Sequence, residues 1–471
     1  MNRFLPTDSD RDLSILIIEN CAIATVSGPE HPYGHLVAVG NRIASVGPGP
    51  VPPEMECRIQ AADQNLVRRV DGRGCLLTPG LVNTHHHLYQ WITRGISADH
   101  TLFEWLTTLY PVWGGITADD VHIGALGGLS HLALSGCTTT TDHHYVVPKD
   151  AGDVFEAEIH AALAVGLRFH PCRGSMDLGR SSGGLPPDHI VESLDEVLKG
   201  SEDTIARFHD PSPDSMCRIA LAPCSPFSVT RDLLVQSANL ARELGVRLHT
   251  HLAETVDEED YCRGRFDCTP MEYMERVGWI GDDVWFAHTV HLNDHAINCM
   301  AHHGMAAAHC PVSNGRLGAG IARIPDMLNA GVTVGLGVDG AASNESDVLW
   351  EEMHAAVLLA RAARGPRAMS VRQSLHMATL GGAKALGREC DIGSLEVGKL
   401  ADLALWRLDG PAHSAVADPV VALVLGSRPP LERLVVDGKD IVIKDHVVTV
   451  DRDDIERRVI AARDGLLART A

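Results

Sequence analysis

The chain has no run of lysines and arginines that could follow a phosphate backbone, and its formal charge of −21 opposes polyanionic partners. Nucleic acid is therefore not an expected partner, and an anionic membrane surface is disfavoured by the same sign. Nowhere do eighteen apolar residues follow one another, so no transmembrane helix is predicted. The start also lacks the pattern of a secretory signal. Its apolar stretch, Leu13 to Ile18, is short, interrupted by Ser14 and preceded by Asp8, Asp10 and Asp12. Twelve cysteines are scattered from Cys21 to Cys390, yet no two form a C-x-x-C pair. That argues against a structural zinc ribbon, and against a disulfide framework in so large a chain without an export signal. Most of them read as small buried hydrophobes. Aromatic residues are few, 4% beside 45% hydrophobic, which is the balance of a soluble globular protein. The expected compartment is the cytoplasm.

What the chain does have is length and histidine. Its 471 residues are ample for a large core. They suffice for two to four domains of about 100–200 residues, or for fewer if one is a barrel of about 250. Histidine stands out at 26 residues. The first eighty residues read as short strands and turns: Ser14–Ile18, Leu36–Gly40 and Arg42–Val46, with Gly40-Asn41 as a hairpin turn. The last eighty are similar. Ala401–Leu408 is strand-like, Leu434 to Ile443 forms a hairpin around Asp437-Gly438, and a helix runs from about Asp451 to Leu467.

Between these β-rich ends, eight short apolar runs alternate with helical stretches such as Arg231–Leu244 and Trp350–Ala363. The runs are Leu76–Asn83, Thr138–Asp142, Leu167–Cys172, Cys217–Pro223, Val246–His251, Val284–His288, Met305–Cys310 and Val332–Asp339. Their continuous apolarity suits strands buried on both faces. Eight β/α units fit a (β/α)₈ TIM barrel, with a doubly wound sheet as the competing architecture. Seven of the eight runs end in polar or metal-competent residues: His85 and His87, Asp142 and His143, Arg173, Cys224 and Ser225, His251, His288, and Asp339. A barrel brings such ends together at one mouth, whereas an open sheet strings them along an edge, so the α/β barrel is the reading adopted.

His85 and His87 stand two apart on an extended segment and so face the same way, while His86 points elsewhere. An H-x-H pair alone is weak evidence, but His251, His288 and Asp339 end other strands and Glu254 follows His251. Three imidazoles and one carboxylate with a position left for water make a catalytic zinc shell, since a structural site would be closed and thiolate-rich.

At this point the sequence resembles the amidohydrolase superfamily. Within it, the chain is similar to the branch of cytosine, guanine and S-adenosylhomocysteine deaminases and chlorohydrolases. The matching motifs are Pro79-Gly-Leu-Val-Asn-Thr-His-His-His87, His251-Leu-Ala-Glu254, Ala287-His288, His309-Cys-Pro-Val-Ser-Asn314, Val338-Asp-Gly-Ala-Ala-Ser-Asn344 and Gly393-Ser-Leu-Glu-Val-Gly-Lys-Leu-Ala-Asp-Leu403. They span nearly the whole chain in order. The resemblance implies a TIM barrel over 79–392 and a small composite β-sandwich domain joined from 1–78 and 393–471. It further implies one divalent metal, zinc or iron, held by His85, His87, His251 and Asp339. His288 would orient the water or polarise the substrate, and Glu254 would shuttle the proton. Hydroxide made available near neutral pH would attack the carbon bearing the exocyclic amine. Glu254 would protonate the adjacent ring nitrogen, and Asp339 would accept the second proton as ammonia departs.

Two nucleotide-like motifs are decoys. Gly335-Leu-Gly-Val-Asp-Gly340 fits G-x-G-x-x-G but closes the eighth run instead of opening a first βαβ unit. Gly393 to Lys399 resembles a P-loop, but Leu400 follows where a magnesium ligand belongs. The zinc deaminases that act on flipped bases need P-C-x-x-C, which neither Pro171-Cys172 nor Pro223-Cys224 completes.

For the substrate, Gln90 matches a glutamine that guanine deaminases use on the amidine edge of the purine, a role its donor and acceptor pair suits. Arg173 reads either as a contact to a ring carbonyl or as a structural salt bridge. Trp113 reads as an entrance residue or as core, and His144 as a substrate contact at the end of the second strand. The local texts His85-His-His-Leu-Tyr-Gln90, Thr140-Thr-Asp-His-His-Tyr145, Phe169-His-Pro-Cys-Arg-Gly-Ser-Met176, Gly183-Gly-Leu-Pro-Pro-Asp188 and Ala222-Pro-Cys-Ser-Pro-Phe-Ser228 look like the 8-oxoguanine deaminase subgroup. One departure is Thr289, where relatives often carry cysteine. The resemblance therefore implies deamination of an aminopurine, 8-oxoguanine to urate and ammonia, by an assembly of two or more copies. Guanine, isoxanthopterin or S-adenosylhomocysteine-type deamination, hydroxytriazine amino- or chlorohydrolysis, and an inactive binding relative are the alternatives.

Overall fold

Strands buried on both faces have nowhere to leave an edge except against one another, and here eight of them close into a barrel. They are β1 (Leu81–Asn83), β2 (Cys137–His144), β3 (Arg168–Ser175), β4 (Ala220–Pro223), β5 (Arg247–Leu252), β6 (Val284–His288), β7 (Ala306–His309) and β8 (Thr333–Leu336). All are parallel and pair in chain order, and Leu336 opposite Asn83 closes the ring. Every residue of β2 and β3 is buried, inward by barrel side chains and outward by helices. The computed structural model describes residues 14–471, so the reading of the first thirteen residues, with Asp8, Asp10 and Asp12, lies outside the described residues.

The helices start and stop where local chemistry requires. Arg231–Leu244 opens at Thr230, whose hydroxyl accepts from the Leu233 N–H, and closes at Gly245 with φ 69°. Among the described residues no helix is long and apolar enough to cross a membrane. None of the twelve cysteines is in a disulfide.

Two apolar runs prove to be divided. Leu76–Asn83 serves two sheets: Cys75–Pro79 belongs to the flanking sheet and only Leu81–Asn83 to the barrel. Gly80 makes the junction, because a Cβ there would lie 2.1 Å from the Thr138 side chain. Val332–Asp339 is likewise split. Thr333–Leu336 closes the barrel, and Asp339–Gly340 pairs separately with His86–His87.

Both chain ends build the flanking sheet, as the β-rich termini suggest. Cys75–Pro79 pairs antiparallel with Leu403–Arg407, and nine strands join in one hydrogen-bonded sheet. This is the composite β-domain expected of the two termini. Leu16, Ile18, Leu36 and Leu77 from one end share a core with Leu403, Leu405 and Val435 from the other. The Asp437-Gly438 hairpin forms, with φ of 54° and 73° at its two turn residues. Sheet and barrel are tied by buried Arg168 at the start of β3. Its guanidinium donates to Asp402 at 2.6 and 3.2 Å and to Asp437 at 3.0 Å. The P-loop-like stretch is structural too: Lys399 Nζ donates to the Glu389 carbonyl at 2.5 Å and the Ser394 hydroxyl at 2.6 Å.

Finally, the helix Arg452–Thr470 lies across the helices Leu102–Trp113 and Ala118–Leu134. Leu466 on it is fully buried, and Arg469 pairs with Asp120.

Candidate active site

The C-terminal mouth of the barrel collects the residues the strand ends promised. The short pairing of Asp339 with His86 carries the first and last strands past the barrel and sets Asp339 beside the histidines. Asp339 Oδ1 lies 3.4 Å from His85 Nε2 and 3.2 Å from His87 Nε2, and His87 Nε2 lies 3.1 Å from His251 Nε2. His86 turns away to Asp347, at 3.3 Å. His85, His87, His251 and Asp339 are all buried, with ligand atoms within 4.8 Å of one another.

Hydrogen bonds on the far side of each ring fix its tautomer. His87 Nδ1 donates to the His143 carbonyl at 2.7 Å, and His251 Nδ1 to the Cys224 carbonyl at 2.6 Å. His249 Nδ1 donates to the Trp285 carbonyl at 2.9 Å, so His249 Nε2 accepts the proton of His85 Nδ1 at 2.8 Å. Each Nε2 therefore presents a lone pair to the same point, and His85 Nε2 has no hydrogen-bond partner. Three converging lone pairs and a carboxylate repel one another unless a cation lies between them. This donor set fits a divalent metal, with outer hydrogen bonds that orient the ligands. Burial, with neighbouring imidazoles adding to it, pushes His85 well below the ordinary histidine range. The same causes lower His251, which keeps both rings neutral as ligands must be. The other Asp339 oxygen accepts from Ser313 at 2.5 Å and Ser343 at 3.0 Å.

Glu254 and His288 complete the ring. The chain leaves the barrel after Leu252 through Ala253 at φ 52°, which brings Glu254 round to the mouth. The Glu258 carboxylate accepts from the Ala253 and Glu254 N–H groups at 2.9 and 3.1 Å and holds this turn. Glu254 Oε2 lies 3.6 Å from His288 Nε2. Burial, reinforced by the charge of Asp339, raises the Glu254 carboxyl well above the ordinary range. His288 Nδ1 bonds Asn314 at 3.0 Å. His288, Thr289 and Asp339 all hold positive φ, of 69°, 51° and 64°. Such backbone costs about 1–3 kcal/mol per residue and collects at functional sites.

These groups open into one cavity at the barrel mouth. Gln90 lines it, fully buried, with neither Nε2 nor Oε1 hydrogen-bonded. Three expected substrate contacts do not line it. Arg173 is turned to Glu192, which it grips in two bonds of 2.7 and 2.6 Å, so the salt-bridge alternative holds. His144 is spent on Glu158 at 3.2 Å and the Val146 carbonyl at 2.9 Å. Trp113 is packed behind the wall against Tyr89, Trp105 and Tyr110. Leu102, Trp105, Leu106 and Tyr110 line the cavity in its place. Their spacing is that of one helical face, which was a legible signal. His249 was also missed, although His249-Thr-His251 repeats the two-residue spacing of His85 and His87.

A metal-competent cluster of three imidazoles and a carboxylate, at the mouth of a barrel capped by a sheet from both termini, defines a metal-dependent hydrolase. The amidohydrolase family profile matches residues 76–454, and the chain belongs to that family. It is 39% identical to the 8-oxoguanine deaminase of Pseudomonas aeruginosa, over 95% of this chain and 98% of that one. It is 36% identical to an isoxanthopterin deaminase from an unidentified prokaryote, over 83% and 86% of the two chains. The zinc complex of the atrazine chlorohydrolase TrzN from Arthrobacter aurescens superposes with a TM-score of 0.88. That match has 34% identity and covers 95% of this chain and 100% of the other.

Proposed function

We propose that the chain is an aminohydrolase of an oxopurine, converting 8-oxoguanine and water to urate and ammonia. The observation that carries this reading is Gln90. Its buried carboxamide leaves one donor and one acceptor unpaired in the cavity that holds Glu254, and a lactam–amidine edge presents the complementary pair. The 39% identity to an 8-oxoguanine deaminase supports the same substrate.

His85, His87, His251 and Asp339 would hold the metal. The donor set suits either zinc or iron, and the zinc in the triazine hydrolase supports zinc. When bound, the metal supplies Lewis acidity that makes hydroxide available near neutral pH. The rest is the work of the chain's own groups. Gln90 fixes the ring by its amidine edge. Glu254, in a setting that favours its protonated form, delivers its proton to the ring nitrogen beside the amine-bearing carbon and regains one from the next water that yields hydroxide. His288, held by Asn314, turns Nε2 toward that exchange. Asp339 takes the remaining hydroxyl proton and passes it to the leaving amine, so that ammonia departs and the ring carbonyl forms.

The test is coupled ammonia release from 8-oxoguanine, guanine, isoxanthopterin and hydroxyatrazine. The highest kcat/KM is expected for 8-oxoguanine. Ammonia from none of the purines would overturn the reading.

A further inference from the structure

Behind the cavity lies a second buried cluster that the reaction does not use: Asp142 on β2, His144 two residues on, and Glu158 on the helix Val154–Val165. All three are 0% exposed. Asp142 Oδ1 accepts the backbone N–H of Leu88 at 2.5 Å. Leu88 opens the short 3₁₀ turn Leu88–Thr93, which carries Gln90 and has no side-chain cap of its own. The anchor of the substrate-reading turn thus comes from a neighbouring strand.

The protonation of the cluster follows from counting donors. His144 Nε2 lies 2.9 Å from the Val146 carbonyl, which can only accept, so Nε2 carries the proton. In the neutral ring His144 Nδ1 is then an acceptor, and it lies 3.2 Å from Glu158 Oε2. Asp142 Oδ2 and Glu158 Oε1 are buried with no hydrogen-bond partner. Left ionised, the two carboxylates would set acceptor against acceptor in a dry interior. Two protons resolve every conflict at once: Asp142 Oδ2–H donates toward Glu158, Glu158 Oε2–H toward His144 Nδ1, and His144 Nε2–H to Val146. Burial favours the neutral form of each group. It raises Asp142 well above the ordinary carboxylate range, raises Glu158 to about 8 and lowers His144.

We propose that Asp142 is a positioning residue for Gln90, held by a neutral, one-directional hydrogen-bond chain from Asp142 through Glu158 and His144 to the Val146 carbonyl. A carboxamide keeps the donor and acceptor positions of a neutral carboxylic acid, its oxygen accepting and its nitrogen donating, and adds one N–H. Asp142→Asn and Glu158→Gln should therefore preserve the arrangement, whereas Asp142→Ala leaves the Leu88 N–H unpaired and frees the turn. The alternative occupant of three converging acceptors is a second cation, which amide variants could not hold.

The inference rests on the reading that Gln90 binds the substrate, and the experiment separates the two. Steady-state kinetics with 8-oxoguanine and metal content are measured for the wild type, Gln90→Ala, Asp142→Ala, Asp142→Asn and Glu158→Gln. Asp142→Ala is expected to raise KM about tenfold, as loss of uniform binding does, with kcat within about threefold and one metal per chain retained. Asp142→Asn and Glu158→Gln are expected to stay within about threefold of the wild-type KM. If Gln90→Ala raises KM and Asp142→Ala does not, the positioning role is wrong while the substrate reading stands. If Gln90→Ala leaves KM unchanged, the substrate reading is wrong. A wild type with two metals per chain, falling to one in Glu158→Gln, would replace the proton chain with a cation site.

Discussion

Glu254 is the residue on which proton transfer turns, since it is buried, biased toward its protonated form and 3.6 Å from His288. Glu254→Gln keeps the shape and hydrogen-bonding capacity but cannot exchange a proton. It should retain wild-type metal content while kcat falls about 10²–10⁴-fold, the usual weight of general acid–base catalysis. Turnover within a few-fold of wild type would remove Glu254 from that role. His249 acts one layer out. By accepting from His85 Nδ1 it turns the His85 lone pair toward the cluster. His249→Ala should weaken metal binding about 10–100-fold in competition with a chelator, the loss expected when a ligand's supporting hydrogen bond is removed. Unchanged affinity would mean that packing alone orients His85.

At the scale of elements, the mouth is shaped by strand ends and by the helices laid over them. The helix Arg452–Thr470 covers the two helices beside the substrate turn, and fully buried Leu466 is its anchor. Leu466→Ala should cost about 2–5 kcal/mol of stability, read as a lowered denaturation midpoint, with the metal ligands untouched. Most of this level was legible in the sequence. Continuous apolar runs gave the barrel strands, and polar residues just beyond them gave the metal cluster. What escaped detection follows from the same signal. An apolar run has no mark for the point where it passes from one sheet to another, so the break at Gly80 appears only when Thr138 is seen against it. Arg173 and His144 sit at strand ends like true site residues, yet their partners Glu192 and Glu158 are 19 and 14 residues away along the chain. Strand-end position alone cannot tell an inward-facing group from one already paired.

Across the whole molecule, the sheet built from both termini is fastened to the barrel floor, the end remote from the site. Arg168 is fully buried between Asp402 and Asp437, and removing one partner of such a group leaves charge uncompensated. Arg168→Met should destabilise the fold by about 3–5 kcal/mol while leaving KM for the substrate unchanged in the folded fraction. A shift in KM without loss of stability would contradict the separation of floor and mouth. The acidic total, −21, bears on the same division: it opposes polyanionic partners and places no demand on a small neutral heterocycle. The central claim is that one metal, one proton shuttle and one purine edge meet at that mouth. Its most direct test is to strip the protein with a chelator, add back zinc in sub-stoichiometric steps, and follow urate and ammonia from 8-oxoguanine together. The account predicts equal amounts of the two products, with the rate rising linearly and levelling at one zinc per chain. Ammonia without urate, or a rate that levels only at two zinc ions per chain, would contradict it.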